Sequence, residues 1–236
     1  MAHERLQLLK WPMCAKVTVE KDMAMELLIA TQNPGKMREF RLLLAPLEAE
    51  LRFPADLGLQ VDVPEDGAAY AENARQKALA YARASGLLTL ADDSGLEVDA
   101  LNGAPGIHSA RYVPGHDADR VAALLAQLRG VPWERRTARF RCVVVIATPT
   151  GELDRTEGVC EGVIALEPAG QGGFGYDPIF CLPDHGCTMA QLPEVEKSRI
   201  SHRARAIMAA IPMLSSHFFG GIIDGEASDN RCMASG

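Results

Sequence analysis

The sequence predicts an α/β fold, and three stretches carry that prediction. Glu26-Leu27-Leu28-Ile29-Ala30 has the pattern of a buried strand. The polar, Gly-containing Thr31-Gln32-Asn33-Pro34-Gly35-Lys36 follows at once, and then Met37, Phe40, Leu43 and Leu44 recur at helical spacing. Leu87 to Ala91 is a mostly apolar run that meets Asp92-Asp93-Ser94-Gly95. This is the pattern of a strand ending in a turn at the rim of a sheet, where α/β proteins keep their ligand sites. Thr137 to Ala147 and Leu153 to Leu166 are long β runs joined through Pro149-Thr150-Gly151-Glu152, which reads as a hairpin turn.

The remaining elements follow in chain order. Residues 1–24 show no clear period and no apolar core of the kind a secretory signal needs, about 7–15 residues. They are expected to be a flexible extension before a domain spanning residues 25–215. Residues 48–66 hold a weak strand and the polar loop Val63-Pro64-Glu65-Asp66-Gly67. A helix is expected from Ala69 to Ser85, with Tyr70, Ala74, Ala78 and Tyr81 along one side and Gly86 as its C-terminal stop. Leu101 to Ile107 has no regular period, and its glycines imply special backbone conformations. Asp117 reads as the cap of a helix with Val121, Leu124, Leu125 and Leu128 as its core stripe. The Gly-rich Ala169 to Pro178 stretch reads as a loop. A last helix is expected from Ser201 to Leu214, with Ile200, Ala204, Ile207, Met208 and Ile211 inward and Pro212 bending or ending it. Residues 216–236 read as a loose tail.

Bulk properties exclude several classes of function. The 236 residues carry 24 Lys and Arg against 31 Asp and Glu, a net charge of −7, which argues against a general nucleic-acid surface. No apolar run approaches the ~18 residues that span a bilayer. The six cysteines are scattered without a CxxC pair, as expected of reduced thiols in a cytoplasmic protein. Cys181, His185 and Cys187 lie close in sequence, but a fourth ligand at zinc-site spacing is missing.

The chemistry concentrates in four polar clusters at element ends: Thr31 to Lys36, Asp92-Asp93-Ser94, Phe174-Gly175-Tyr176-Asp177, and Lys197 through His202 and Arg203. The first offers backbone N–H groups, a helix N-terminus and a lysine, all of which favour anions, although a plain strand-to-helix turn reads the same way. It is not a GxxxxGK[ST] loop. In the second, adjacent residues on extended backbone point to opposite sides, so Asp92 and Asp93 are expected to have different partners, one able to face a hard cation and the other to anchor the loop, although a solvated turn reads the same way. The third supplies an aromatic surface, unless Phe174 is simply core. The fourth supplies more donors, unless His202 is a capping or surface histidine. Glu72 and Asn73 face either this site or solvent, and Lys77 and Arg111 are either phosphate contacts or salt-bridge residues. Together the clusters suit a nucleotide with a metal-bridged phosphate tail.

Taken in order, these motifs resemble the inosine triphosphate pyrophosphatase family. The matching residues are Thr31-Gln32-Asn33-Pro34-Gly35-Lys36, Glu72-Asn73-Ala74, Ala91-Asp92-Asp93-Ser94-Gly95-Leu96, Gly103-Ala104-Pro105-Gly106-Ile107, Ser109-Ala110-Arg111-Tyr112, Phe174-Gly175-Tyr176-Asp177-Pro178 and Ser201-His202-Arg203, over about residues 26–210. The resemblance implies a long, twisted mixed sheet flanked by helices, in two lobes with the active site between them. It implies a homodimer that uses Mg2+ to hydrolyse ITP, dITP and XTP to the monophosphate and pyrophosphate. By the same resemblance, Asp93 is the essential acid and a metal ligand, and Glu65 is the second metal-site carboxylate. The Thr31–Lys36 loop, with Thr31, Asn33 and Lys36 foremost and Gln32, Pro34 and Gly35 between them, holds the phosphate chain. Ser94 touches the substrate, Phe174 stacks on the base, and Gly175, Tyr176 and Asp177 shape its pocket. Lys197, His202 and Arg203 contact the base edge.

Two other readings compete. One is a related pyrophosphatase for modified pyrimidine triphosphates, against which the Phe174–Asp177 and Ser201–Arg203 motifs speak. The other is a nucleotide sensor without turnover, against which the Asp92-Asp93 pair speaks.

Overall fold

The computed structural model describes residues 25–220. The expected extension at residues 1–24 and the tail beyond 220 lie outside the described residues. The sheet has seven strands: β1 (Glu26–Ile29), β2 (Glu50–Arg52), β3 (Thr89–Val98), β4 (Thr137–Thr148), β5 (Gly151–Ile164), β6 (Phe180–Leu182) and β7 (Cys187–Thr188). Its order is β2-β1-β3-β4-β5-β6-β7, with β1 parallel to β2 and β3 and every later pair antiparallel. The sheet is therefore mixed, as the resemblance implied. The helices are α1 (Pro34–Leu43), α2 (Tyr70–Ser85), α3 (Asp117–Gln127), α4 (Glu194–Ile200) and α5 (His202–Gly220).

Period-2 alternation places helices on both faces of the central strands. Leu27, Ile29, Leu90, Cys142, Val144 and Ile146 pack with Phe40 of α1 and with Ala206, Ile207, Ala210 and Leu214 of α5. Their neighbours Leu28, Ala91, Val143 and Val145 point the other way, under Ala74, Ala78, Tyr81 and Ala82 of α2. Burying strands on both faces produces the continuous apolar runs read in the sequence. A third cluster joins α3 (Val121, Leu124) to the far halves of β3 to β5 and to β6 (Leu96, Phe140, Cys160, Phe180).

Several expectations need correction. Asp92-Asp93-Ser94-Gly95 is not a turn. β3 runs straight through it, and each residue from Thr89 to Val98 is paired with β4. The ladder overrides the turn preference of the individual residues. Gly95 is required for another reason, since a Cβ there would collide with the backbone carbonyl of Gly106. The N-cap of α3 is His116, whose N–H donates to Asp119, and Asp117 is the first helical residue. α5 passes through Pro212 to Gly220, so residues 216–220 are helical. Pro212 is exposed, and buried Ala210 and Leu214 on either side of it hold the helix to the core. Met208, placed inward by the sequence reading, is 60% exposed, and Ala206 and Ala210 take the inward positions. α4, β6 and β7 went unread because each is short. No helix among the described residues is long and apolar enough to cross a membrane.

Candidate active site

A cavity of about 510 Å³ opens where β1, β3, α2 and the 174–177 loop meet. That volume lies within the usual range for small-molecule sites, roughly 300–1,000 Å³. Its wall includes Thr31, Gln32, Asn33, Lys36, Glu65, Asp93, Ser94, Phe174, Gly175, Tyr176, Asp177, Lys197, His202 and Arg203. The residues singled out in the four sequence clusters thus converge on one space. Of the expected site residues, Pro34 and Gly35 lie outside the wall. Gly35 is buried beneath the Phe174 ring, and a Cβ on it would stand 2.5 Å from Phe174 Cδ1.

The Thr31–Lys36 loop is shaped from within. Asn33 caps α1 by accepting from the Lys36 N–H (3.1 Å), and Thr31 Oγ1 accepts from the Asn33 N–H (3.2 Å). The helix opens with Pro34, which has no N–H to leave unsatisfied. Lys36 Nζ reaches Asp92 at 3.0 Å.

The paired carboxylates divide their work across the sheet. Asp92 is 1% exposed and bonds to Lys36 and to Arg203 Nη2 (2.9 Å). Burial alone would raise its pKa, but Lys36, Arg203 and Lys77 overcome it and hold the carboxyl well below the usual range. Asp93 faces α2, where Asn73 Nδ2 donates to Oδ2 (2.9 Å), and the Ser94 N–H donates to Oδ1 (3.0 Å). Burial pushes the Asp93 carboxyl up. Asp93 therefore faces the cavity without a direct salt-bridge partner, while Asp92 is structural. The two carboxylates thus have different partners on opposite sides of the strand, as the sequence reading expected.

A buried ionic chain runs from the phosphate loop to the aromatic loop. Lys36 bonds Asp92, Asp92 bonds Arg203, and Arg203 bonds Glu39. Glu39 bonds Lys197 (2.7 Å), which in turn bonds Asp177. Burial opposes charge on Glu39, yet Arg203 and Lys197 bring its carboxyl down to about 2. Sequence reasoning missed Glu39 because its partners lie more than 150 residues away on α4 and α5. Arg203 donates Nε and Nη2 to Asp92, Nη1 to Glu39 and Nη2 to Ser94. A guanidinium has five N–H donors, so one Nη1 hydrogen is left for a ligand.

Around the aromatic loop, Lys197 Nζ stands 4.9 Å from the Phe174 ring centroid. Asp177 accepts from the Phe174 N–H (2.8 Å), Asp117 accepts from the Gly175 N–H (2.6 Å), and Tyr176 donates to the Ser109 carbonyl (3.0 Å). Asp117 was read only as a helix cap, and nothing in the sequence pointed to Gly175 as its partner. His202 stacks on Phe140 at 4.7 Å with Nδ1 buried and unpartnered. Burial, with Arg203 beside it, keeps this imidazole neutral.

Lys77 and Arg111, left open by the sequence, are salt-bridge residues here. Both hold Glu65, and Lys77 also donates to the Asp92 carbonyl (3.2 Å). Among the described residues no group of three His, Cys, Asp or Glu is placed to hold a metal, Cys181, His185 and Cys187 included. Glu65 and Asp93 are both carboxylate residues on the cavity wall. That fits Mg2+, which binds through one or two carboxylates and takes further oxygens from substrate phosphates.

Fold and site together define an α/β protein with a nucleotide-sized cleft, an anion-binding loop at one end and an aromatic platform at the other. Comparison with known proteins narrows this class. The chain matches the Ham1 family over residues 27–213. It is 49% identical over 193 residues to the dITP/XTP pyrophosphatase of Desulforamulus reducens, covering 81% of this chain and 96% of the relative. To the protein of the same name from Bacillus subtilis it is 44% identical over 193 residues, covering 81% and 98%. Among solved structures it is similar to a HAM1 protein from Coxiella burnetii, with a TM-score of 0.73 and 40% identity over 81% of this chain and 99% of that one. The Staphylococcus aureus Ham1 protein gives 0.72 and 39% over the same shares. The chain belongs to the Ham1 family.

Proposed function

We propose that the protein hydrolyses deaminated purine nucleoside triphosphates, ITP, dITP and XTP, to the monophosphate and pyrophosphate. Its membership of the Ham1 family and the shared name of its relatives make it a hydrolase of phosphoanhydrides. The observation that carries the finer reading is the single cavity joining the Thr31–Lys36 loop, the Glu65 and Asp93 carboxylates and the Phe174 platform.

In this reading Glu65 and Asp93 would hold Mg2+, which would supply charge neutralisation at the phosphates. Thr31, Asn33 and Lys36 receive the phosphate chain, with Gln32, Pro34 and Gly35 forming the rest of the loop. Lys77, which lines the cavity, is near enough to Lys36 and Asp93 to meet a phosphate oxygen, while Arg111 stays with Glu65. Asp93, which has no direct salt-bridge partner, orients the attacking water and accepts its proton. Positioning and charge neutralisation do most of the work in phosphoryl-type transfer, so no covalent intermediate is required. Phe174 stacks on the base, Gly175, Tyr176 and Asp177 bound its pocket, and Ser94 touches the substrate. Lys197, His202 and the one unengaged Nη1 hydrogen of Arg203 meet the base edge, where a 6-oxo purine presents an acceptor and adenine a donor. The reading carries with it a two-lobed cleft around the cavity, a homodimer and a cytoplasmic location.

Phosphorus-31 spectra of products formed from ITP and Mg2+ test the bond cleaved. IMP and pyrophosphate are expected. IDP with orthophosphate would place the attack on the γ-phosphorus and contradict the reading.

A further inference from the structure

Asn73 is a buried neutral polar side chain beside the site. It is 1% exposed, and both ends of its amide are used. Oδ1 accepts from the Gly67 N–H at 2.8 Å, and Nδ2 donates to Asp93 Oδ2 at 2.9 Å. The orientation is self-consistent. The group of Gly67 in contact with Asn73 is its N–H, so Oδ1 must face it, which leaves the amino group for the Asp93 carboxylate. The fit on the loop side is close, because a Cβ on Gly67 would stand 2.6 Å from Asn73 Oδ1. The N-cap residue of α2, Ala69, provides no side-chain cap. The turn before the helix is held instead by Asn73 and by Glu72, whose Oε2 accepts from the Ala68 N–H (2.9 Å).

Glu65 lies two residues before Gly67, so Asn73 is a one-residue bridge between the loop carrying Glu65 and the side chain of Asp93. We propose that Asn73 is a positioning residue that fixes these two carboxylates relative to one another and so preorganises the divalent-cation site. The inference rests on the proposed role of Glu65 and Asp93 as metal ligands. Asn73 itself touches neither metal nor substrate. It holds Oδ2 of the Asp93 carboxylate while the Ser94 N–H holds Oδ1, which fixes the rotamer, and it anchors the backbone that aims Glu65. Two buried hydrogen bonds on one side chain make this geometry costly to lose.

The test uses Asn73→Ala, which removes both bonds, and Asn73→Gln, which keeps the amide but displaces it by one methylene. Thr156→Val serves as a control for stability, since Thr156 donates to the Ala206 carbonyl (2.8 Å) away from the cavity. Two readouts are taken on the full chain: Mn2+ binding by calorimetry without nucleotide, and the Mg2+ concentration for half-maximal pyrophosphate release from ITP. Loss of an outer partner of a metal ligand typically weakens metal binding by about 10–100-fold. Asn73→Ala is expected to weaken Mn2+ binding and raise half-saturating Mg2+ by factors in that range, and Asn73→Gln by a smaller factor. In both, kcat recovers in part at high Mg2+. Thr156→Val is expected to lower the melting temperature with Mg2+ dependence unchanged. If Asn73→Ala does not fold, Asn73→Gln carries the measurement. The proposal is overturned if a folded Asn73 variant keeps wild-type metal affinity in both readouts, or if wild-type protein binds no Mn2+. A wild type that binds Mn2+ but releases no pyrophosphate refutes the hydrolase reading instead.

Discussion

Asp92 and Asp93 are consecutive residues of β3 that face opposite sides of the sheet, and their environments differ accordingly. Asp92 is neutralised by Lys36 and Arg203 on the side of α1 and α5, whereas Asp93 is held by neutral donors, the Asn73 amide on the side of α2 and the Ser94 N–H. The same substitution at each should therefore have opposite signatures. Asp93→Asn is expected to keep the melting temperature and nearly abolish turnover, since an amide is a poorer ligand for a hard cation and no base. Asp92→Asn is expected to cost about 3–5 kcal/mol by leaving a buried guanidinium unmatched. Thermal melts and steady-state rates on both variants check this, and an Asp92→Asn protein that melts like wild type would remove Asp92 from its structural role.

Glu39 gives the ionic chain a pH signature. Its carboxyl is lowered from 4.5 to about 2, so the folded state holds the charged form more tightly than the unfolded state does. The resulting stabilisation is fully present above pH 4.5 and is lost as pH falls through about 2. Glu39→Gln resembles the protonated acid. The gap in melting temperature between wild type and Glu39→Gln is therefore expected to be constant from neutral pH down to about 5 and to close toward pH 2. A gap that persists unchanged into that acid range would show that the charge of Glu39 contributes nothing.

Phe174→Ala is expected to weaken every purine triphosphate by a similar factor, because stacking reads the face of the ring, which all purines share. Base–aromatic stacking is worth ~1–3 kcal/mol, or roughly 5–150-fold in affinity. Binding isotherms for ITP, GTP and ATP to the Asp93→Asn protein, with and without Phe174→Ala, measure it. Weakening confined to ITP would mean that Phe174 acts on the base edge.

Arg203→Ala combines two effects. Losing the partner of Asp92 and Glu39 is expected to destabilise the fold by about 3–5 kcal/mol. In the protein that remains folded, kcat/KM for ITP should fall more than that for ATP, because a donor facing the 6-oxygen is lost. Steady-state kinetics below the melting transition separate these effects. Equal falls for both substrates would leave Arg203 with a structural role alone.

Much of this was legible in the sequence because the site is built from short contiguous motifs at or beside the ends of strands. Thr31 to Lys36, Asp92 to Ser94 and Phe174 to Asp177 each announce a chemistry, and the apolar periods fix most of the elements that carry them. Pairing across the chain was not legible. Glu39 reads as one more charge on an amphipathic helix until α4 and α5 bring Lys197 and Arg203 to it. Asp117 reads as a cap until the loop at Gly175 folds over it. The turn read at Asp92-Asp93-Ser94-Gly95 failed for the same reason, because local preference for a turn was outweighed by a ladder to β4 nearly fifty residues away. Pro212 likewise failed to end α5 because packing on either side holds the helix together.

The central claim is selective hydrolysis of deaminated purine triphosphates with release of pyrophosphate, and it is tested most directly by pyrophosphate release across ITP, dITP, XTP, GTP, ATP and dUTP, with Mg2+ and with chelator. Rejection of ATP by unmade buried hydrogen bonds, ~1–3 kcal/mol each, predicts ITP, dITP and XTP turned over at least about 10²-fold more efficiently than ATP. Activity should vanish in chelator. Equal rates on ATP and ITP, a preference for dUTP, or full activity in chelator would contradict it.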